Sequence, residues 1–496
     1  MKKRFFVVFF LIVVMGSSLM TDSGPRKDTL RVGIHTFPGC LNPVYATDET
    51  AQAVINKVFD SLFVFDVDGK VCPGLLQDYH FQDDRIIILD LKEGIYFSTG
   101  EELSAADAAA TFGLLRNPDF KYPYLSSLMF IDTLEQVGKY KIKIILKEPF
   151  APWRNVLVFK ILNGGEIKNA DPRTFRPAVL SGTGPYQIER ISAPSKIILT
   201  LNSHYKSVCL FPRLEYRVIA YPHLMPLKLM NDETDLGELQ PEHVRAYVKS
   251  TPWQKRFNIV NYKKFGFTYL VFNLRNSKIT ADVRRILYNR LICGNFIERF
   301  LKKGGEPVDT PFLLLNGKIK PVPFDKPSLG AAIRLRILTN SESRIRKEFV
   351  LFLKKELEPL KIELQPMFLE YSSFLDYLKK GRFDLAVSGF VLDIDYDMKD
   401  VFYSRAFFNY AHLESGEMDR LLDLGLMEMN PLKREKIYLA AHRVWLEDLP
   451  LLPLFNLYYY VGVSKRIPAP PDTCRLMSAS GDFLQNIQEW KTSTDR

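Results

Sequence analysis

Apolar residues along this chain change their spacing repeatedly, and each change marks an element. Thr29 to His35 reads as a strand, and Asp48 to Leu62 then carries Val54, Ile55, Val58, Phe59 and Leu62 at helical spacing. Phe63 to Asp66 and Arg85 to Leu91 predict short strands. Ser104 opens a helix through Leu115, and Asp107 stands three residues on, as a capping box requires. Leu134 to Leu146 predicts a hairpin turning at Val137-Gly138-Lys139, and strands dominate from Tyr186 to Ala220 behind the turn Gly182-Thr183-Gly184-Pro185.

The second half alternates. Phe267 to Asn273 predicts a strand and Thr280 to Phe300 one long helix, followed by a Gly/Pro-rich passage over Lys303 to Leu329. Arg334 to Leu338 and Lys361 to Pro366 predict strands flanking a helix over Ser343 to Leu357. Tyr371, Phe374, Leu375 and Leu378 make an amphipathic helix, Gly381 a turn, and Phe383 to Phe390 is apolar enough for a strand buried on both faces. Three carboxylates follow that strand, Asp393, Asp395 and Asp397. Asn430-Pro431 caps a helix to about Glu447, and Leu451 to Val463 predicts a terminal strand. A β-rich first part before alternating β and α predicts at least two units, the second an α/β layer structure.

Composition adds a destination. Lys2, Lys3 and Arg4 precede eleven unbroken apolar residues, Phe5 to Met15, and then Gly16-Ser17-Ser18. As a helix that stretch spans roughly 17 Å, short of the about 30 Å hydrocarbon core. It predicts a signal peptide over residues 1–23 and export to the periplasm or cell envelope, and no cysteine follows closely enough for a lipid anchor. Five dispersed cysteines without a C-x-x-C pair leave either one or two disulfides or buried and free thiols. The net charge of +10 is scattered among acids, without the basic stripe of a nucleic-acid binder.

Signals for catalysis are thin. There is no H-E-x-x-H, G-x-S-x-G or P-loop, and the histidines are isolated. Asp393-x-Asp395-x-Asp397 resembles half of an EF-hand loop, but Met398 stands where the glycine belongs and Ser404 where the glutamate does.

Ordered blocks then suggest a family. Leu91-Lys92-Glu93-Gly94-Ile95-Tyr96-Phe97-Ser98-Thr99-Gly100, followed by Leu103 to Ala108, resembles the "LRKGVKFHDGTPFTAEDV" signature of the family 5 extracellular solute-binding proteins of ABC importers. Gly182-Thr183-Gly184-Pro185-Tyr186 resembles its G-T-G-P-Y turn, Glu233 to Leu236 its "GEIDI", and Phe272-Asn273 with Val283-Arg284 its "FN…VRQA". The segment from Lys380 to Asp397 resembles its "G-x-FD…GW…D…DP" block, with Phe390 in place of the tryptophan and no proline.

The resemblance implies an α/β, two-lobed periplasmic-binding-protein-like fold (type II, cluster C-like) with an extra β-rich subdomain inserted in the first lobe. It places lobe I at residues 29–47, 165–265 and 456–496, the insertion at 48–164, lobe II at 272–455, and hinge strands near 266–273 and 455–461. It implies a non-enzymatic, monomeric receptor without cofactor or resident metal, capturing a peptide and delivering it to an inner-membrane ABC permease. Asp393 falls where peptide-binding members hold the ligand's α-ammonium. Phe390, Tyr269 and Asn273 would line the cleft, and Phe37 to Leu41 would offer backbone groups. Asp395 and Asp397 read as solvated or capping residues. Family relatives also carry nickel complexes, haem, sugars or cell-wall peptides; a secreted hydrolase and a membrane-tethered interaction protein are the alternatives of another class.

Overall fold

A computed structural model describes residues 28–66, 69–175, 180–247, 250–325, 327–391 and 395–467, together with Phe483, Leu484, Ile487 and Trp490. The expected signal peptide lies outside these residues, as does Cys474; the four described cysteines are all free thiols. No helix among the described residues is long and apolar enough to cross a membrane.

One twelve-stranded sheet runs through the molecule. Its first part is built from β1 (Thr29–Ile34), β2 (Tyr186–Ser192), β3 (Lys196–Leu201), β4 (Arg213–Val218), β5 (Leu236–Leu239) and β6 (Phe257–Lys263). Its second part holds β7 (Gly266–Phe272), β8 (Gly305–Pro307), β9 (Ile333–Asn340), β10 (Ile362–Leu369), β11 (Leu385–Val391) and β12 (Leu451–Ser464). Along the sheet the order is β10-β9-β11-β7-β12-β5-β1-β4-β3-β2, with β6 and β8 also paired to β12. The fourteen residues of β12 are shared: Leu451 to Phe455 pair with β7, whereas Tyr458 to Ser464 pair with β6 and Tyr460 to Val463 with β5. A separate four-stranded antiparallel sheet lies in the sequence between β1 and β2, its strands Leu76–Phe81, Ile86–Leu91, Ile131–Gly138 and Lys141–Leu146.

The apolar residues form two large cores. One draws on β1 to β4, the four-stranded sheet and the helices Glu49–Val58 and Ala105–Arg116; the other runs from Phe267 to Phe455. A small third cluster gathers Met225, Leu229, Leu239, Trp253 and Phe257. Local chemistry explains most boundaries. Asp48 accepts the Ala51 N–H at 2.8 Å to start the first helix, and Asn430 accepts from Leu432 and Lys433 ahead of Pro431. Asp107 accepts from both the backbone N–H and the hydroxyl of Ser104.

Three expectations need correction. The helix expected through Phe300 is two, Ala281–Leu291 and Phe296–Leu301, and Gly294, the least favourable common residue for helix interiors besides proline, sits in the break. The first helix ends at Val58 rather than Leu62, because Phe59 is extended. The hairpin turns one residue later than expected, at Lys139-Tyr140, between Gly138 and Lys141.

The motif blocks turn out to be staples of the fold. The Gly182 carbonyl accepts from Ser98 N–H, joining two blocks, and Gly184 N–H donates to Val58. A Cβ on Gly182 would lie 1.9 Å from the Val58 carbonyl oxygen. The Asp235 carboxylate, buried, takes both Nε and Nη2 of Arg31 at 3.0 and 3.1 Å. Gly182→Ala is therefore expected to lower stability by about 1–3 kcal/mol or more, read as a lower urea midpoint with an unchanged slope.

Candidate functional site

The acidic segment after β11 is where sequence reading placed the ligand. Asp393 itself lies outside the described residues. Asp395 is not solvated: besides accepting the Asp397 N–H at 2.9 Å, a local cap, it takes Arg434 in a two-pronged pair, Nη1 to Oδ2 at 2.7 Å and Nη2 to Oδ1 at 2.5 Å. Those side chains are only 10% (Arg434) and 12% (Asp395) exposed. Arg434 comes from the helix Pro431–Asp448, and its remaining Nε donates to the Gly425 carbonyl. Its guanidinium lies over the stacked rings of Tyr396 and Tyr438. Asp397 accepts the Lys399 N–H at 2.8 Å, a short local cap, yet burial pushes its carboxyl up to about 7. No group of His, Cys, Asp or Glu among the described residues has the arrangement of a metal site.

The other predicted residues separate. Phe390 and Tyr269 face one another across β11 and β7, stacked with centroids 4.2 Å apart. Phe390 keeps partial exposure, whereas Tyr269 is fully buried beside Ser388, and burial drives its hydroxyl pKa up. Asn273 holds a turn: Nδ2 donates to the carbonyls of Gly381 and Phe383, and Oδ1 accepts from Arg275. Its amide hydrogens are thus committed within the second core. Phe37 packs half-buried on the first core, and Leu41 is buried inside it.

Sequence reading passed over two charged groups at the seam between the cores. Arg346 lies in the first turn of the helix Arg344–Leu357, whose Phe349, Val350 and Leu353 are sealed in the second core. Its Nη1 donates to Asn340 Oδ1 at 3.1 Å, and no described carboxylate pairs with it. Burial pushes its pKa down, and the hydroxyls of Tyr269, Tyr371 and Tyr459 lie within electrostatic reach. Tyr459 belongs to β12 and packs against the first core, so Arg346 looks across the seam. Two residues earlier, Arg344 reaches Glu242 of the helix Pro241–Tyr247 at 3.9 Å.

On the first-core side, Glu238 of β5 is also unpaired among the described residues. Burial pushes its carboxyl up, and the nearby His35 and Lys264 draw it part of the way back. Lys264 is already engaged by Glu49 at 2.6 Å and lies over the Tyr459 ring. A faint signal for both residues exists in the sequence. Glu238 interrupts the apolar strand Leu236–Leu239, and Arg344, Arg346 and Lys347 follow the cap Ser343 where acids are favoured.

The family described as bacterial extracellular solute-binding proteins, family 5 (middle), matches residues 70–285. The oligopeptide-binding protein AppA of Bacillus subtilis aligns over 98% of this chain and 96% of its own length at 21% identity. The likeness to family 5 solute-binding proteins thus covers residues 70–285 by the family model and nearly the whole chain by the alignment with AppA. Among solved structures, the substrate-binding protein CtaP of Listeria monocytogenes superposes with a TM-score of 0.80 at 18% identity, covering 92% of this chain and 99% of that one. NikZ of Campylobacter jejuni, solved in complex with Ni(L-His), gives 0.75 at 21% identity over 94% and 100%. The expected two-lobed architecture is thereby established for this chain.

In a two-lobed fold the unpaired charges have a physical reading. A buried ion without a partner is costly, and a ligand that supplies the partner favours whichever arrangement of lobes lets both sides touch it. The seam between the two cores offers a guanidinium from one side and a carboxylate from the other.

Proposed function

We propose that this protein is a family 5 solute-binding protein that captures peptides between its two lobes by hinge closure and delivers them to the inner-membrane permease of an ABC importer. The observation that carries the reading is Asp393, placed after the buried strand β11 at the position where peptide-binding members hold the α-ammonium. A carboxylate facing an ammonium forms a short, charge-assisted bond, and it rejects solutes that leave it unpaired. The name of AppA, an oligopeptide-binding protein, supports the same ligand class. Lobe I would comprise residues 29–47, 165–265 and 456–496, with 48–164 inserted, and lobe II residues 272–455. The separate cores and the shared strand β12 favour this division, with β7 and β12 as hinge. The basic and apolar start of the chain supports export by a signal peptide.

Native mass spectrometry of gently purified protein tests the reading, since a co-purifying peptide is the expected ligand. Recovery of a metal chelate, a haem or a sugar would replace peptide by that solute. Asp393→Ala is expected to weaken peptide binding at least about tenfold, or 1.4 kcal/mol, with the unliganded melting temperature nearly unchanged. Calorimetry showing equal affinity would remove the aspartate from the site.

A further inference from the structure

Two residues in the second half of the chain leave their own core for the other. The helix Gly416–Met427 sends Met418, Leu421 and Leu422 into the second core, but Leu426, in its last turn, is 7% exposed and packs with the first. Met429, two residues past the helix end, joins it there half-buried. Among the described residues between Phe267 and Leu457, no other apolar side chain groups with the first core. The adjoining Leu424 and Met427 stay 42% and 44% exposed, so the burial belongs to one stripe of the helix end.

A hydrogen bond fixes the meeting point. The last carbonyls of a helix have no partner within it, and the Leu426 carbonyl accepts the Ala151 N–H at 2.7 Å. Ala151 stands between Pro149 and Pro152, in the segment that leaves the four-stranded sheet of the inserted part. Both partners are braced from behind. Phe150 is buried and stacked on Phe130 at 3.9 Å, with Trp153 buried close by in the chain. On the other side the Gly425 carbonyl accepts from Arg434 Nε, and Gly425 lies against the Tyr438 ring, where a Cβ would fall 2.6 Å from Cζ. One firm edge thus meets another through a single bond and two side chains.

We propose that this meeting point is a clasp between lobe II and the insertion, which forms when the lobes close and parts to admit or release solute. The inference rests on the hinge-closure reading above. Strands β7 and β12 would set the axis of that movement, and a contact made elsewhere, by the inserted part of lobe I, biases its equilibrium. The small size of the clasp suits that use, because a large apolar interface would keep the lobes from parting. It gives the insertion a share in setting affinity without touching the solute.

The test is Leu426→Gln, which keeps a good helix former but turns an amide against the insertion. Ala151→Pro removes only the N–H donor and is measured beside it. Small-angle scattering reads the arrangement of the lobes, melting curves read stability, and calorimetry with a pool of synthetic tripeptides reads affinity. Leu426→Gln is expected to raise the ligand-free radius of gyration, to leave the melting temperature nearly unchanged, and to weaken peptide binding at least tenfold. Ala151→Pro should move the same quantities less, in the same direction. A Leu426→Gln protein that melts well below wild type with unchanged scattering would make Leu426 a fixed part of the first core and overturn the clasp. Variants that scatter and bind as wild type does overturn it too. If wild type binds none of the tripeptides, the peptide reading fails, while the ligand-free scattering still decides the clasp.

Discussion

Asp395→Ala is expected to cost about 3–5 kcal/mol of stability. The substitution strands Arg434, whose guanidinium is 10% exposed and has only the Gly425 carbonyl left to accept from it. It also removes the acceptor for the Asp397 N–H, a 2.9 Å bond that shapes the segment. The magnitude comes from the unpaired buried charge and not from the worth of the pair, because replacing both partners is often neutral. The double variant Asp395→Leu with Arg434→Met should therefore recover most of the loss. Urea denaturation of the single and double variants checks both parts. A single variant within about 0.5 kcal/mol of wild type, the range of ordinary surface changes, would contradict the buried pair.

Asp397→Asn should act in the opposite direction and only above acid pH. Burial raises the Asp397 carboxyl from 3.8 to about 7, and the neighbouring Asp395 and Asp400 push the same way. The folded protein therefore binds this proton more tightly than the unfolded chain does. Its contribution to stability is fully present below pH 4 and is lost as the pH rises through 7. Each pKa unit corresponds to about 1.4 kcal/mol. The side chain keeps a partly open edge, so hydration trims the total to the order of 2–3 kcal/mol. Asparagine retains an oxygen for the Lys399 N–H and carries no charge. Its stability relative to wild type should rise between pH 4 and 8 and level off above. Melting curves across that range read it directly; a flat difference would show that Asp397 is ionised without cost.

The two residues also show where sequence reading stops. That a strand ends near Phe390 and empties into acid was legible, because an unbroken apolar run and a left-handed Gly381 leave little choice. That Asp395 meets Arg434 was not, since 39 residues separate them and only the packing of a later helix brings the guanidinium in. The capping residues Asp48, Ser104 and Asn430 were readable for the reverse reason: their partners lie two or three positions away. Short strands such as Leu76–Phe81 and Leu236–Leu239 escaped because their exposed or interrupted patterns acquire meaning only beside a neighbour. Within the candidate site the aromatic pair Phe390 and Tyr269 could be expected from strand positions. That Arg346 and Glu238 lack a charge partner among the described residues could not, because that is a property of three-dimensional surroundings.

The strand β12 carries one more consequence. It follows every other strand of the sheet along the chain, yet it pairs on both sides of the seam. Neither lobe can close its hydrogen-bond ladder until this last segment has arrived. Folding during synthesis, which normally lets N-terminal domains settle first, is thus postponed in both halves together. A strand that both lobes await is a built-in delay in the folding of each.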